Sequence, residues 1–203
     1  MKLFGKLLLV GVLCIALLLG GLWFIQRNIN RGLEGSVETI SAASLQGLRE
    51  QARLTAFVAR FVAVVTSRQS RFGLNAERTM IMPGLVRYEM DLNRISQKDM
   101  VWNPATGTLT IILPPLILTG PEIDIAATRE YDGGGLLLTL TDARQTLDAA
   151  NQKAAQTELL KQARAEVPMR LARDASRNAI ERSFAMPLRA AGLKATVVAK
   201  FAS

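Results

Sequence analysis

The chain has no histidine and one cysteine, Cys14, among its 203 residues. Zinc sites of the usual ligand types need imidazole or thiolate, so they are excluded from the part of the chain beyond Cys14. Ser-His-Asp and Cys-His arrangements fall with them, because both need an imidazole to take the nucleophile's proton near neutral pH. Aromatic residues make up 5% of the chain. No aromatics are interleaved with the basic residues as a platform for stacking nucleic-acid bases requires. No Gly-Lys-Ser/Thr follows the triple glycine 133–135, so it is read as a flexible connector rather than a phosphate loop. Any chemistry would have to run on carboxylates, lysines or tyrosines.

What is present begins with an uncharged run of nineteen residues, Leu7 to Ile25 (LLLVGVLCIALLLGGLWFI), preceded by Lys2 and Lys6. As a helix it would reach about 28 Å, close to the hydrocarbon thickness of a bilayer. A signal peptide has a shorter apolar stretch that ends at small residues. This run instead ends on Leu22, Trp23, Phe24 and Ile25. It is read as an uncleaved membrane anchor with Leu7, Val10, Ile15, Leu19, Trp23 and Ile25 facing lipid, Trp23 at the interface. Lys2 and Lys6 nearly balance Arg27 and Arg31 in the positive-inside count. The short basic tail favours an anchor inserted with its N-terminus inside. That places the main domain outside the cytoplasm, on a bacterial inner membrane. Cys14 lies within the run, so the exposed part has neither thiol nor disulfide.

The formal net charge is +8, and arginine supplies most of the basic residues. Such an excess suits anionic lipid headgroups or nucleic acid, but it is not gathered into one block, and the bland reading is a mixed surface with a basic tilt.

Ser36 is a plausible N-cap for a helix carrying Leu33, Val37, Ile40, Ser44 and Leu48, read as a stalk rising from the membrane. Thr55–Ser67 alternates Phe57, Ala59, Phe61, Ala63 and Val65 with Val58, Arg60, Val62 and Val64, which suits a strand packed on both faces. Arg78–Met82 is a second strand, Pro83-Gly84 a turn, and Leu85–Asp91 a half-exposed third. Asp99–Trp102 and Thr108–Leu113 form a hairpin around Asn103-Pro104-Ala105-Thr106-Gly107. Pro114-Pro115 removes two backbone donors and ends that strand rather than presenting a polyproline ligand. Glu122–Glu130 alternates again, and Leu136–Leu140 is a further apolar segment.

The C-terminal third reads as two helices. The first, capped by Thr141 or Asp142, buries Leu147, Ala150, Ala154, Leu160 and Ala163. The second opens near Val167 with Pro168, carries Leu171, Ala172, Ala175, Ala179, Ile180 and Phe184, is bent or ended by Pro187 and stopped by Gly192. Lys194–Phe201 closes as a strand. The class is α+β: a transmembrane helix and stalk helix, then a small, mostly antiparallel sheet covered by two C-terminal helices with a closing strand. The expected organisation is 1–26 anchor, 27–54 stalk and 55–203 α+β domain.

Two groups of residues invite a functional reading. Arg170, Arg173 and Arg177 form a basic stripe, with Glu166, Asp174 and Glu181 spaced to bridge them. The plain reading is a salt-bridged exposed face; the functional one is contact with a partner or anionic lipid. Glu122 with Asp124, and Glu89 with Asp91, are two apart on a strand face, where carboxylates share a proton or hold a hard cation. Alternating charge on an exposed strand explains them more simply.

The order PGLVRYEMDL, TLTIILPPLILTGPEIDI, two alanine-rich helices and AGLKATVVAKF resembles a bacterial family known as domain of unknown function 4230, over about Thr55 to Phe201. Gly84, the Val86–Asp91 strand, Leu113-Pro114, Ile123-Asp124 and Gly192 carry the resemblance; Pro168 departs from it, where a small or glycine-like turn is usual. The resemblance implies a membrane-bound module and brings no catalytic residues, cofactor or metal. The layout of anchor, small sheet, helix and closing strand is similar, by analogy alone, to SPFH (band 7) proteins. The expectation is a non-enzymatic, membrane-anchored envelope scaffold that self-associates or holds an envelope protein partner. The alternatives are an anionic-lipid or small-ligand domain and, last, a carboxylate-based hydrolase on Glu122 and Asp124. Membrane lipids are the expected contacts; nucleic acid is not.

Overall fold

The computed structural model describes residues 36–71, 73–133 and 142–202. The anchor residues Leu7 to Ile25 and the apolar segment Leu136–Leu140 lie outside the described residues. Among the described residues no helix is long and apolar enough to cross a membrane.

The first helix, α1, spans Val37–Arg49, and Ser36 caps it by accepting from the Thr39 amide at 3.2 Å. It does not stand clear of the domain as a stalk would. Val37, Ser41, Leu45 and Leu48 are buried, and the three apolar ones join the main core. Spacing along one helix reveals that a face is apolar, but not whether another copy or the same chain covers it.

A long hairpin follows, β1 (Arg53–Arg71) and β2 (Leu74–Asp91), paired in register from end to end apart from one bulge at Thr55/Phe57. Gly73, in the left-handed region (φ +74°), closes it. Both strands outrun their apolar segments because polar cross-strand pairs carry them on: Thr66–Thr79 at 2.8 Å, Arg68–Glu77 at 2.8 Å and Ser70–Asn75 at 2.6 Å.

Pro83-Gly84, expected as a turn, lies inside β2. Val62 and Pro83 face each other across the hairpin, and the Pro83 carbonyl points to the far edge, where it accepts from the Asp124 amide at 2.9 Å. The missing proline N–H thus falls between two neighbours on that edge: β5 (Ile117–Ile123), which pairs with residues 84–89, and β6 (Arg129–Asp132), which pairs with residues 78–81. The single strand expected over Glu122–Glu130 is therefore the end of β5, a 3-10 turn at Ile125–Ala127 and β6. Asp124 caps that turn through the Ala127 amide.

A second sheet holds β3 (Met100–Asn103), β4 (Thr108–Leu113) and β7 (Thr196–Phe201). The hairpin around Gly107 and the stop at Pro114 match the sequence reading. Every pairing in the two sheets is antiparallel except β4 with β7.

Helix α2 (Ala143–Ala163) lies across the inner face of the long hairpin, and α3 (Glu166–Ala190) runs on to the second sheet. The buried line of α2 is Ala143, Leu147, Asn151, Ala155, Leu159 and Ala163, a strict step of four. Ala150 and Ala154, expected inside, are exposed. Gly84 lets α2 come close, since a Cβ there would stand 2.7 Å from Leu159 Cδ1. Pro168 sits in the first turn of α3, where a missing N–H costs nothing. Pro187 neither ends the helix nor forms its stop. The stop is at Gly192 (φ +77°), where the Leu193 amide donates to Leu188 O and the Gly192 amide to Arg189 O, a Schellman closure.

Candidate functional site

The buried residues of α3 are Ala172, Ser176, Ile180, Phe184 and Leu188, again four apart. That choice of face leaves Arg170, Arg173 and Arg177 exposed. Strand β7 is held beside the helix by the Glu181 carboxylate, which accepts from the Ala199 amide at 2.9 Å. This sets Lys200 and Phe201 against the arginines. Together with Arg164 at the α2–α3 junction they border an open groove of about 680 Å³. Five cationic side chains (Arg164, Arg170, Arg173, Arg177 and Lys200) meet two carboxylates there, Glu166 and Asp174, with Met169 and Phe201 supplying apolar surface.

The salt-bridged face expected from spacing forms only in part. Arg177 pairs with Asp174, while Glu181 is committed to β7 instead. Arg170 and Arg173 make no ion pair among the described residues. The groove also takes in the N-terminus of α3, whose N-cap Ala165 makes no side-chain hydrogen bond. Uncapped N–H groups and the helix dipole add to the positive potential there. Arg164, Lys200, Met169 and Phe201 went unnoticed in the sequence. Lys200 is too far along the chain from Arg173 for any local pattern to link them.

The paired carboxylates come apart. Asp124 lies beyond β5, caps its turn and sits 3.9 Å from Arg60, whereas Glu122 accepts from Arg87 at 2.6 Å. Asp91 caps the turn at Leu92–Arg94. Glu89 is buried and bound by Thr119 at 2.9 Å and Arg53 at 3.3 Å. Burial by itself raises the Glu89 pKa, but those two hydrogen bonds, with the charges of Arg53 and Arg87, outweigh it and hold the carboxyl below its usual range. No hydrogen bond joins any two of these acids among the described residues. Among the described residues no group of three or more such side chains is placed to hold a metal ion.

A second cluster of charge is internal. Arg78, 2% exposed, extends from β2 to Glu130 and Asp132 of β6 and to Asp148 of α2. Its carbonyl accepts from Asn151 Nδ2 at 2.9 Å, and Asn151 Oδ1 accepts from the Ser67 hydroxyl at 2.8 Å. This network ties α2 to the hairpin.

An α+β domain with a basic groove is the class that the fold and site define. The family profile described as "Protein of unknown function (DUF4230)" matches residues 46–198, and the chain belongs to that family. No curated protein and no solved structure matches it.

Proposed function

We propose that the chain is a single-pass, membrane-anchored, non-enzymatic interaction module of the bacterial cell envelope, and that it works by holding anionic lipid headgroups in the groove beside α3. The observation that carries this reading is the convergence of five cationic side chains, of which only Arg177 has an ion-pair partner among the described residues, at an uncapped helix N-terminus. Arginine forks match phosphate oxygens, and a helix N-terminus offers N–H groups to the same anion. The run Leu7–Ile25 supports the anchor and brings the domain within reach of a bilayer.

The full chain, held in phosphatidylcholine nanodiscs, should co-float with vesicles containing phosphatidylglycerol at low salt. Changing Arg170, Arg173 and Arg177 together to Gln should weaken this about hundred-fold, at about 1 kcal/mol per basic residue near an anionic surface. Equal co-flotation of the variant would end the reading. The anchor and its direction are tested separately. A periplasm-dependent reporter fused after Ser203 should be active, and an inactive one would place the domain on the cytoplasmic side.

A second reading, a self-associating scaffold, is favoured by one feature. The outer face of the long hairpin is bare: Val58, Val62 and Val64 of β1, expected to be covered on both sides, are exposed, Val64 by 63%. Facing Val62 and Val64 are Pro83 and Ile81. A contiguous apolar face of this kind is a common self-association surface. Val62→Asp with Val64→Asp should convert any crosslinked oligomer in detergent to monomer. If only monomers are seen in the unaltered chain, the scaffold reading fails.

A further inference from the structure

A pocket of about 390 Å³ opens between α1 and the second sheet, within the size range of small-ligand sites. Ala42 of α1, Met100 and Trp102 of β3 and Leu109 of β4 give it apolar walls. Ser41, Glu38, Thr39 and Gln97 supply the polar groups. Ser41 is 1% exposed and its hydroxyl has no hydrogen-bond partner among the described residues. Elsewhere in this protein helical serines behave differently: Ser44, Ser176 and Ser183 each donate to the carbonyl four residues back, at 2.9, 2.8 and 2.9 Å. Ser41 alone of these buried or half-buried helical serines leaves its hydroxyl free, beside an apolar cavity. An unmet hydroxyl in such a place is destabilising, and a bound polar group offsets that.

The charge of the pocket selects the partner. Among the described residues Glu38 is the one ionisable group that lines it, and a carboxylate only accepts hydrogen bonds. Glu38 and Ser41 are three apart on α1, so their side chains are neighbours on the helix surface. A donor with positive charge satisfies both, and the Trp102 indole adds a surface that attracts cations. Anions are repelled.

We propose that this pocket binds a small amine with an apolar body, its ammonium donating to Ser41 Oγ and the Glu38 carboxylate, its body lying against Trp102, Met100 and Leu109. The site is separate from the arginine groove and of opposite polarity, so either stands if the other fails.

The chain has two tryptophans, Trp23 and Trp102, so a Trp23→Phe background leaves Trp102 as the reporter. The full chain in phosphatidylcholine nanodiscs is titrated with benzylamine, with phenylacetate as the anionic counterpart. Saturable change in Trp102 fluorescence is expected with benzylamine and none with phenylacetate. Glu38→Gln and Ser41→Ala should each weaken binding about ten-fold or more while the far-UV melting curve stays in place. Ala42→Phe, which fills the pocket, should abolish the change. A linear, non-saturating response, equal response to phenylacetate, or unaltered binding in both Glu38→Gln and Ser41→Ala would overturn the proposal. If a variant's melting curve shifts, the comparison of benzylamine with phenylacetate on the Trp23→Phe chain decides alone.

Discussion

Arg78 shows how much one side chain holds in this protein. Its guanidinium is buried on the inner face of β2 and meets acids from two other elements, Asp132 and Glu130 on β6 and Asp148 on α2. Removing one partner of a buried charge cluster is far costlier than the cluster's net worth, because the remaining charges stay desolvated. Arg78→Met should lower unfolding free energy by about 3 kcal/mol in urea denaturation, near the low end of the usual range since the three acids keep some water contact. A loss under ~1 kcal/mol would mean the acids rehydrate freely and the network is ornamental to stability. Nothing in the sequence distinguishes Arg78 from the other arginines on alternating strands. Its burial depends on α2, whose Asp148 is seventy residues away. Tyr88 is similar: its hydroxyl donates to Ala163 O at the end of α2, 2.8 Å away, and burial pushes its own pKa up.

At the scale of the element, β2 and α2 explain one another. The helix faces the sheet through a line stepping by four, and Leu159 sits above Gly84 with no space for a Cβ. Gly84→Ala should cost about 1–3 kcal/mol by overpacking. In Leu159→Ala the same change should cost much less, and the double-mutant cycle measures the coupling. Additive losses would refute the contact. The elements most legible in sequence were those with local chemistry: the Ser36 cap, the hairpin at Gly107, the stop at Pro114, Pro168 in a first turn and the end of α3 at Gly192. Pro83 misled because proline usually breaks a strand. Here its missing donor falls on the edge between β5 and β6, which only strand order reveals. The buried face of α2 was also misjudged, for its sequence is alanine-rich all round and Asn151 and Ala155 are the residues that meet the hairpin.

The whole molecule combines a basic exterior with carboxylates tied into its frame. Glu89 joins three elements, bonding Arg53 of β1 and Thr119 of β5 from its place on β2. A carboxyl whose folded pKa is depressed contributes stability above its unfolded pKa, and that contribution is lost as pH falls through the folded value. Asp99, held low by the Ser96 hydroxyl and amide, acts in the same direction. Stability should therefore decline as pH drops below about 4.5, the ordinary carboxyl range. Glu89→Gln should be less stable than the unaltered chain at pH 7 and should lose less on acidification. Parallel stability curves for the two would show that Glu89 is not a source of the decline. The arginine groove belongs to this scale as well. Arg170, Arg173 and Arg177 share a face by helical spacing, yet Arg164 and Lys200 reach it only through the α2–α3 junction and the return of β7.

By itself the sequence determined the α+β class, the ends that local chemistry marks at Ser36, Gly107, Pro114 and Gly192, the basic stripe on α3 and the membership of its family, because each rests on residues within a few positions of one another or on their order along the chain. Tertiary structure alone decided that α1 docks on the core instead of rising as a stalk, that the long hairpin carries one continuous β2 through Pro83, and that Glu122 and Asp124 are parted. It also turned a stripe of three arginines into a groove with five cationic residues and left the Ser41 hydroxyl unpartnered beside Trp102. The physical reason is common to all of these. Periodicity and turn chemistry record what a residue does to its own backbone, whereas burial, pairing and charge convergence depend on which distant segment packs over it.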